Sequence, residues 1–234
     1  NTAATISTSC PGGTCLQDWY SSANPPIKAA NALPETPACG VTTTGGATAN
    51  DSIMLVLKMR APTNARAFSL TGTFFSAEYP EFVCDIFNDQ FVALVTTPTP
   101  TWPLPNPPDK NLATFRDGSL RYPVGINVAA GAGIFEVCEA PGTNDDCDDA
   151  VVSQNSCSAG LTLLAGTGFE KSPTFPGCAL GGATRWLQVR GNVRPGEDVT
   201  IRLAIWDVGD HNYDSTALLD AFRWETQSVT PGTE

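Results

Sequence analysis

Apolar and polar positions alternate along much of this chain with the period of β-strands. Residues 52–60 (SIMLVLKMR) read as a strand. In residues 67–76 (AFSLTGTFFS), Phe68, Leu70 and Phe74 share one parity, and Ser69, Thr71 and Thr73 share the other. That alternation predicts a half-buried strand. Residues 90–97 (QFVALVTT) are nearly all apolar and predict a central strand. Short strands are expected near 111–116, 119–128 and 133–139. In the last third, Arg185–Gly191 and Asp198–Trp206 read as strands around an Arg194-Pro195-Gly196-Glu197 turn. A polar loop, Asp207–Ser215, then leads to a closing strand, Thr216–Thr226. Residues 98–110 hold six prolines, which excludes a regular ladder. The one helical signal is short, Leu16–Tyr20 or Ile27–Leu33. Many short strands separated by turn signals predict an all-β chain, a jelly-roll-like β-sandwich with long disulfide-stapled loops.

Composition sharpens this picture. The 234 residues include 21 Gly and 19 Pro, and only 16% are charged, as a turn-rich β protein requires. A net charge of −11 argues against nucleic acid, because little here would neutralise phosphates. No apolar run approaches the length of a membrane-spanning helix, so membrane insertion is not expected. Eight cysteines (Cys10, Cys15, Cys39, Cys84, Cys138, Cys147, Cys157 and Cys178) accompany a single histidine and no CxxC pair. They read as disulfides formed in an oxidising compartment rather than as a zinc site. Cys10–Cys15 and Cys147–Cys157 are close enough in sequence for local bridges, and Cys84 and Cys138 lie beside strands that they could join. Residues 140–184, rich in Cys and Gly, are expected to be an excursion kept ordered by such bridges. The start of the chain reads as a processed N-terminus with its signal already removed.

Candidate chemistry centres on carboxylates. Ile201, Leu203 and Ile205 share a face, and Asp207 continues their parity. Leu218, Phe222 and Trp224 share a face with Asp220, so both aspartates fall on core-directed parities. A buried carboxylate needs a partner. Ca²⁺ is one, and the segment offers Asp207, Asp210, Asn212, Asp214 and Asp220 as hard oxygen ligands. The spacing is not that of an EF-hand loop. The alternative is that these aspartates cap turns and accept backbone N–H bonds. A second cluster, Glu78-Tyr79-Pro80-Glu81-Phe82 followed by Phe87-Asn88-Asp89, reads either as a strand-to-strand corner or as further oxygen ligands for the same site, Asp89 among them. A glycosidase pair could be drawn from such residues, but acidic residues are numerous here. No GxSxG elbow or phosphate-cradling glycine loop is present. The lone His211 lies in the acidic loop, and Trp102, among prolines, is the tryptophan best placed for an exposed contact.

Two segments, residues 74–95 (FFSAEYPEFVCDIFNDQFVALV) and 201–224 (IRLAIWDVGDHNYDSTALLDAFRW), resemble the signature of the choice-of-anchor L domain. Residues 166–170, 181–189 and 194–207 resemble its myxobacterial version. The resemblance covers roughly 25–226 and implies a secreted or surface domain of bacterial origin, in a family defined by its sorting context rather than by an activity. It divides the chain into an arm at 1–24, the domain at 25–226 and a tail at 227–234. No sorting helix follows the domain in this chain, as expected of a trimmed protein or a free-standing subunit.

The first nine residues (NTAATISTS) suit a strand added to a neighbour's sheet edge. The leading expectation is therefore a secreted structural protein without enzymatic activity, self-associating or joined to other surface proteins, as in an extracellular filament. The alternatives are a Ca²⁺-dependent adhesin or glycan-binding module and, less favoured, a polysaccharide-active enzyme.

Overall fold

The computed structural model describes residues 3–7, 39, 49–101, 103–118, 120–139, 157–171, 181–209 and 212–234. The expected helix, Cys10, Cys15, Cys147, Cys178, Trp102, Asp210 and His211 lie outside them. The strands, in chain order, are β1 (Ala3–Ser7), β2 (Ala49–Arg60), β3 (Ala67–Ser76), β4 (Gln90–Thr96), β5 (Thr114–Asp117) and β6 (Leu120–Gly125). Then come β7 (Phe135–Val137), β8 (Gly182–Thr184), β9 (Leu187–Asn192), β10 (Asp198–Val208), β11 (Ser215–Glu225) and β12 (Gly232–Thr233). They build two antiparallel sheets. One runs β1-β2-β10-β4-β6-β5, and the other runs β12-β9-β3-β8-β7 with β11 also paired to β3.

The core lies between the sheets, where the apolar parities meet. Phe68, Leu70 and Phe74 of β3 share it with Ala93 and Val95 of β4, Val189 of β9, and Ile201 and Leu203 of β10. Burial of each large side chain contributes about 1.5–3 kcal/mol. The opposite parity of β4 and β10 (Val92, Leu94, Ala204, Trp206 and Val208) forms a second buried cluster. That explains why β4 reads as apolar throughout.

β3 departs from the half-buried expectation, for Ser69 and Thr73 are buried as well. β3 is flanked by β11 on one side and by β8 and β9 on the other, so its polar face finds partners there. Ser69 Oγ donates to Glu225 Oε1 at 2.8 Å, and Thr73 Oγ1 donates to the Thr184 carbonyl at 2.7 Å. Asp207, expected to open a loop, is instead inside β10. A bulge between Ile205 and Asp207 lets the ladder resume, so that Asp207 pairs with Asn50 and Val208 with Ala49.

The first and last described strands are both paired into the sheets. Residues 227–234, set apart as a tail, contain β12, which pairs with β9. Buried Asn192 holds this region together: its Nδ2 donates to the carbonyls of Leu104 and Val229, and its Oδ1 accepts the Val229 N–H. β1 pairs with β2 of its own chain, from Ala3↔Lys58 to Ser7↔Met54.

Two disulfides correct the expected pairing. Cys157 joins Cys138 rather than Cys147, and Cys84, placed beside a strand, joins Cys39. Proximity in sequence misled because the folded sheets, rather than the intervening chain, bring these thiols within 4.9–5.3 Å between Cα atoms.

Candidate functional site

Three carboxylates converge at one end of the sandwich. Glu78 follows β3, Asp89 precedes β4, and Asp207 is the penultimate residue of β10. Each offers an oxygen within 4.8 Å of the others'. All three are buried, at 1%, 0% and 6% exposure respectively. Local structure sets each one. Ser76 Oγ accepts the Glu78 N–H at 3.1 Å, and the Phe82 N–H bonds back to the Glu78 carbonyl at 2.9 Å, which curls the chain after β3. Asn127 braces the approach to Asp89: its Oδ1 accepts the Cys84 N–H, its Nδ2 donates to the Asp85 carbonyl, and its own N–H donates to Asn88 Oδ1. Gly125 is needed beside this brace, because a Cβ there would lie 2.7 Å from the Asp89 carbonyl oxygen. On the far side, Gly209 adopts φ +107° and turns the chain away after β10, where Tyr213 packs on Phe82.

Asp89 connects the parts. Its Oδ1 accepts the Val208 N–H at 3.0 Å and its Oδ2 accepts the Ser215 hydroxyl at 2.5 Å, so it staples the end of β10 to the start of β11. Burial first, and then the neighbouring Asp207 charge, push its pKa up to about 8, against the opposing bonds from Ser215 and Val208. Three carboxylates this close and this buried repel one another, and protonation or a cation would relieve that repulsion. The donor set fits a hard cation such as Ca²⁺, since it is all oxygen and anionic. Asp207 also lines an open cleft of about 300 Å³, with Asp51, Ile53, Asp214 and Ser215, which gives the cluster a route to solvent.

Asp207 and Asp89 thus meet, and Glu78, from the second acidic cluster, joins them. Asp214 borders the adjoining cleft but is exposed. Asp220 does not join. β11 carries a bulge between Asp220 and Arg223, with Ala221 at φ +53°, and the extra residue reverses the parity. Phe222 and Trp224 pack on the core, whereas Leu218 and Asp220 are exposed. The Asp220 carboxylate caps its own strand by accepting the Ala221 N–H at 2.6 Å.

All three carboxylates fall inside the region where this chain is similar to known sequences: the choice-of-anchor L domain model matches residues 37–223. The chain belongs to the choice-of-anchor L domain family. No curated protein and no solved structure matches it. Membership makes this a surface or secreted protein, in a family that is not one of enzymes. Within this choice-of-anchor L domain, the two segments that carry the resemblance are the ones that build the site. Residues 74–95 supply Glu78 and Asp89, and residues 201–224 supply Asp207 and Ser215. Among the described residues no helix is long and apolar enough to cross a membrane.

Proposed function

We propose that this choice-of-anchor L domain is a structural component of the cell surface or its surroundings, a subunit that assembles into a fibre by exchanging its N-terminal strand. The observation that supports this most is the position of β1. Among the described residues it sits at the edge of the first sheet and pairs with β2 alone, through five residues. Residues 8–48 separate it from that partner in sequence. The same ladder can form between copies at high local concentration, as in strand swapping. A departed β1 leaves β2 as an uncovered edge, which promotes pairing with another chain.

Chromatography and light scattering of the full chain and of a chain lacking residues 1–9 test this. Concentration-dependent oligomers of the full chain should disappear in the truncated one, and a peptide of residues 1–9 should bind the truncated chain. Unchanged assembly without those residues would refute strand exchange.

A second reading, a Ca²⁺-dependent adhesin or glycan-binding module, draws on the Glu78, Asp89 and Asp207 cluster. A cation there would neutralise the buried charge and brace the junction between β10 and β11. Thermal melts in Ca²⁺ and in EDTA decide it. Binding at a hundredfold excess over Kd adds about 2.7 kcal/mol to stability, and an unchanged melting temperature argues against the site.

A further inference from the structure

A second cavity, of about 210 Å³, opens where β5 and β6 of one sheet face β9 and β12 of the other. Its lining is mixed: the nearly buried Val124, Ile134 and Leu187 lie at its base beside Phe115, and Thr233 adds a hydroxyl. Its rim is cationic. Arg116 and Arg185 both line it, in a chain of net charge −11.

The two guanidinium groups differ in their partners. Arg185 Nη1 lies 3.5 Å from Glu136 Oε1. Glu234, the carboxylate on the rim, is held by Arg190 at 2.6 Å. Arg116 donates to the Pro231 carbonyl at 2.9 Å and forms no salt bridge among the described residues. Partial burial, and then the charge of Arg121, lower its pKa, and the Asp109 carboxylate offsets this only in part. The bond to Pro231 fixes the guanidinium against the terminal strand, and its remaining N–H groups are available for a planar acceptor.

We infer that this cavity binds a small monocarboxylate with a short apolar body, its carboxylate on Arg116 and its apolar part on Val124, Ile134 and Leu187. The volume is below the roughly 300 Å³ at which pockets for drug-sized ligands begin, so the ligand is small. Apolar side chains beside a guanidinium without a salt bridge select an amphipathic anion over a bare one. An inorganic anion would leave the wall wet, and a neutral ligand would leave Arg116 unpaired. The inference stands apart from strand exchange and from the acidic cluster.

Methyl NMR of the full chain, titrated with hexanoate, hexanamide and inorganic phosphate, tests it. Hexanoate should shift the Val124, Ile134 and Leu187 methyl signals saturably. Hexanamide should bind about tenfold more weakly or worse, and phosphate should leave these methyls unmoved. Arg116→Gln, at an exposed position that tolerates substitution, should weaken hexanoate by a similar factor and leave hexanamide unchanged. Arg185→Gln should have the smaller effect. Equal binding of acid and amide, shifts with phosphate, no saturable shift with hexanoate, or full retention in Arg116→Gln would each overturn the inference.

Discussion

Raising the pH of the chelator-treated protein should destabilise it, because Asp89 keeps its proton in the fold. Its ordinary carboxyl pKa of 3.8 rises to about 8 through burial and then the Asp207 charge. The folded state therefore binds more protons than the unfolded chain between those values. Stability from this group is fully present below about pH 4 and is lost as pH rises towards about pH 8. Each tenfold change in proton affinity is worth about 1.4 kcal/mol, so the full span amounts to something on the order of 5 kcal/mol. Urea unfolding in EDTA, from about pH 5 to about pH 8, measures this, with Asp89→Asn as the reference. The amide can still accept the Val208 N–H and has no charge to lose, so the difference between the two proteins isolates the carboxyl. Asp207→Asn should lessen the slope without removing it, because burial is the larger cause. Millimolar Ca²⁺ should restore stability most near pH 8, where protons compete least for the oxygens. Equal slopes in wild type and Asp89→Asn, or a wild-type stability that rises relative to that variant over this range, would refute the reasoning.

Other outcomes follow from the packing. Non-reducing peptide mapping should recover Cys39 linked to Cys84 and Cys138 linked to Cys157. Their sequence separations of 45 and 19 residues imply losses of about 4 and 3 kcal/mol when each pair is replaced by alanine, read by chemical denaturation. Gly181→Ala would drive a Cβ into the Ser76 carbonyl oxygen and within 2.9 Å of Ala77 Cα, both backbone, and should cost about 3 kcal/mol in the same assay. Asn192→Asp turns the two donors to Leu104 and Val229 into an acceptor facing acceptors. It should cost about 2–3 kcal/mol and loosen the C-terminal residues in hydrogen exchange; an unchanged midpoint would contradict that role.

The faces of the strands are legible in the amino-acid pattern alone. Side chains alternate strictly along an extended chain, so Phe68, Leu70, Phe74, Ile201 and Leu203 could be assigned to the core, and Asp207 to a buried position, from parity alone. The same rule failed for Asp220, because one bulge residue near Ala221 reversed the parity, and no local signal announced it. β8 and β12 carry too few residues to show any period; cross-strand bonds from Thr73, Thr233 and Asn192 hold them. Which distant residues meet depends instead on how the strands pair and stack. Glu78 joins Asp207, and Arg116 faces Leu187, because sheet order and register bring together segments far apart in the chain. The cysteine pairs follow the same logic. Periodicity records which way a side chain points. What it points at depends on the pairing of strands, where the free energy is shared among contacts that no single stretch of sequence contains.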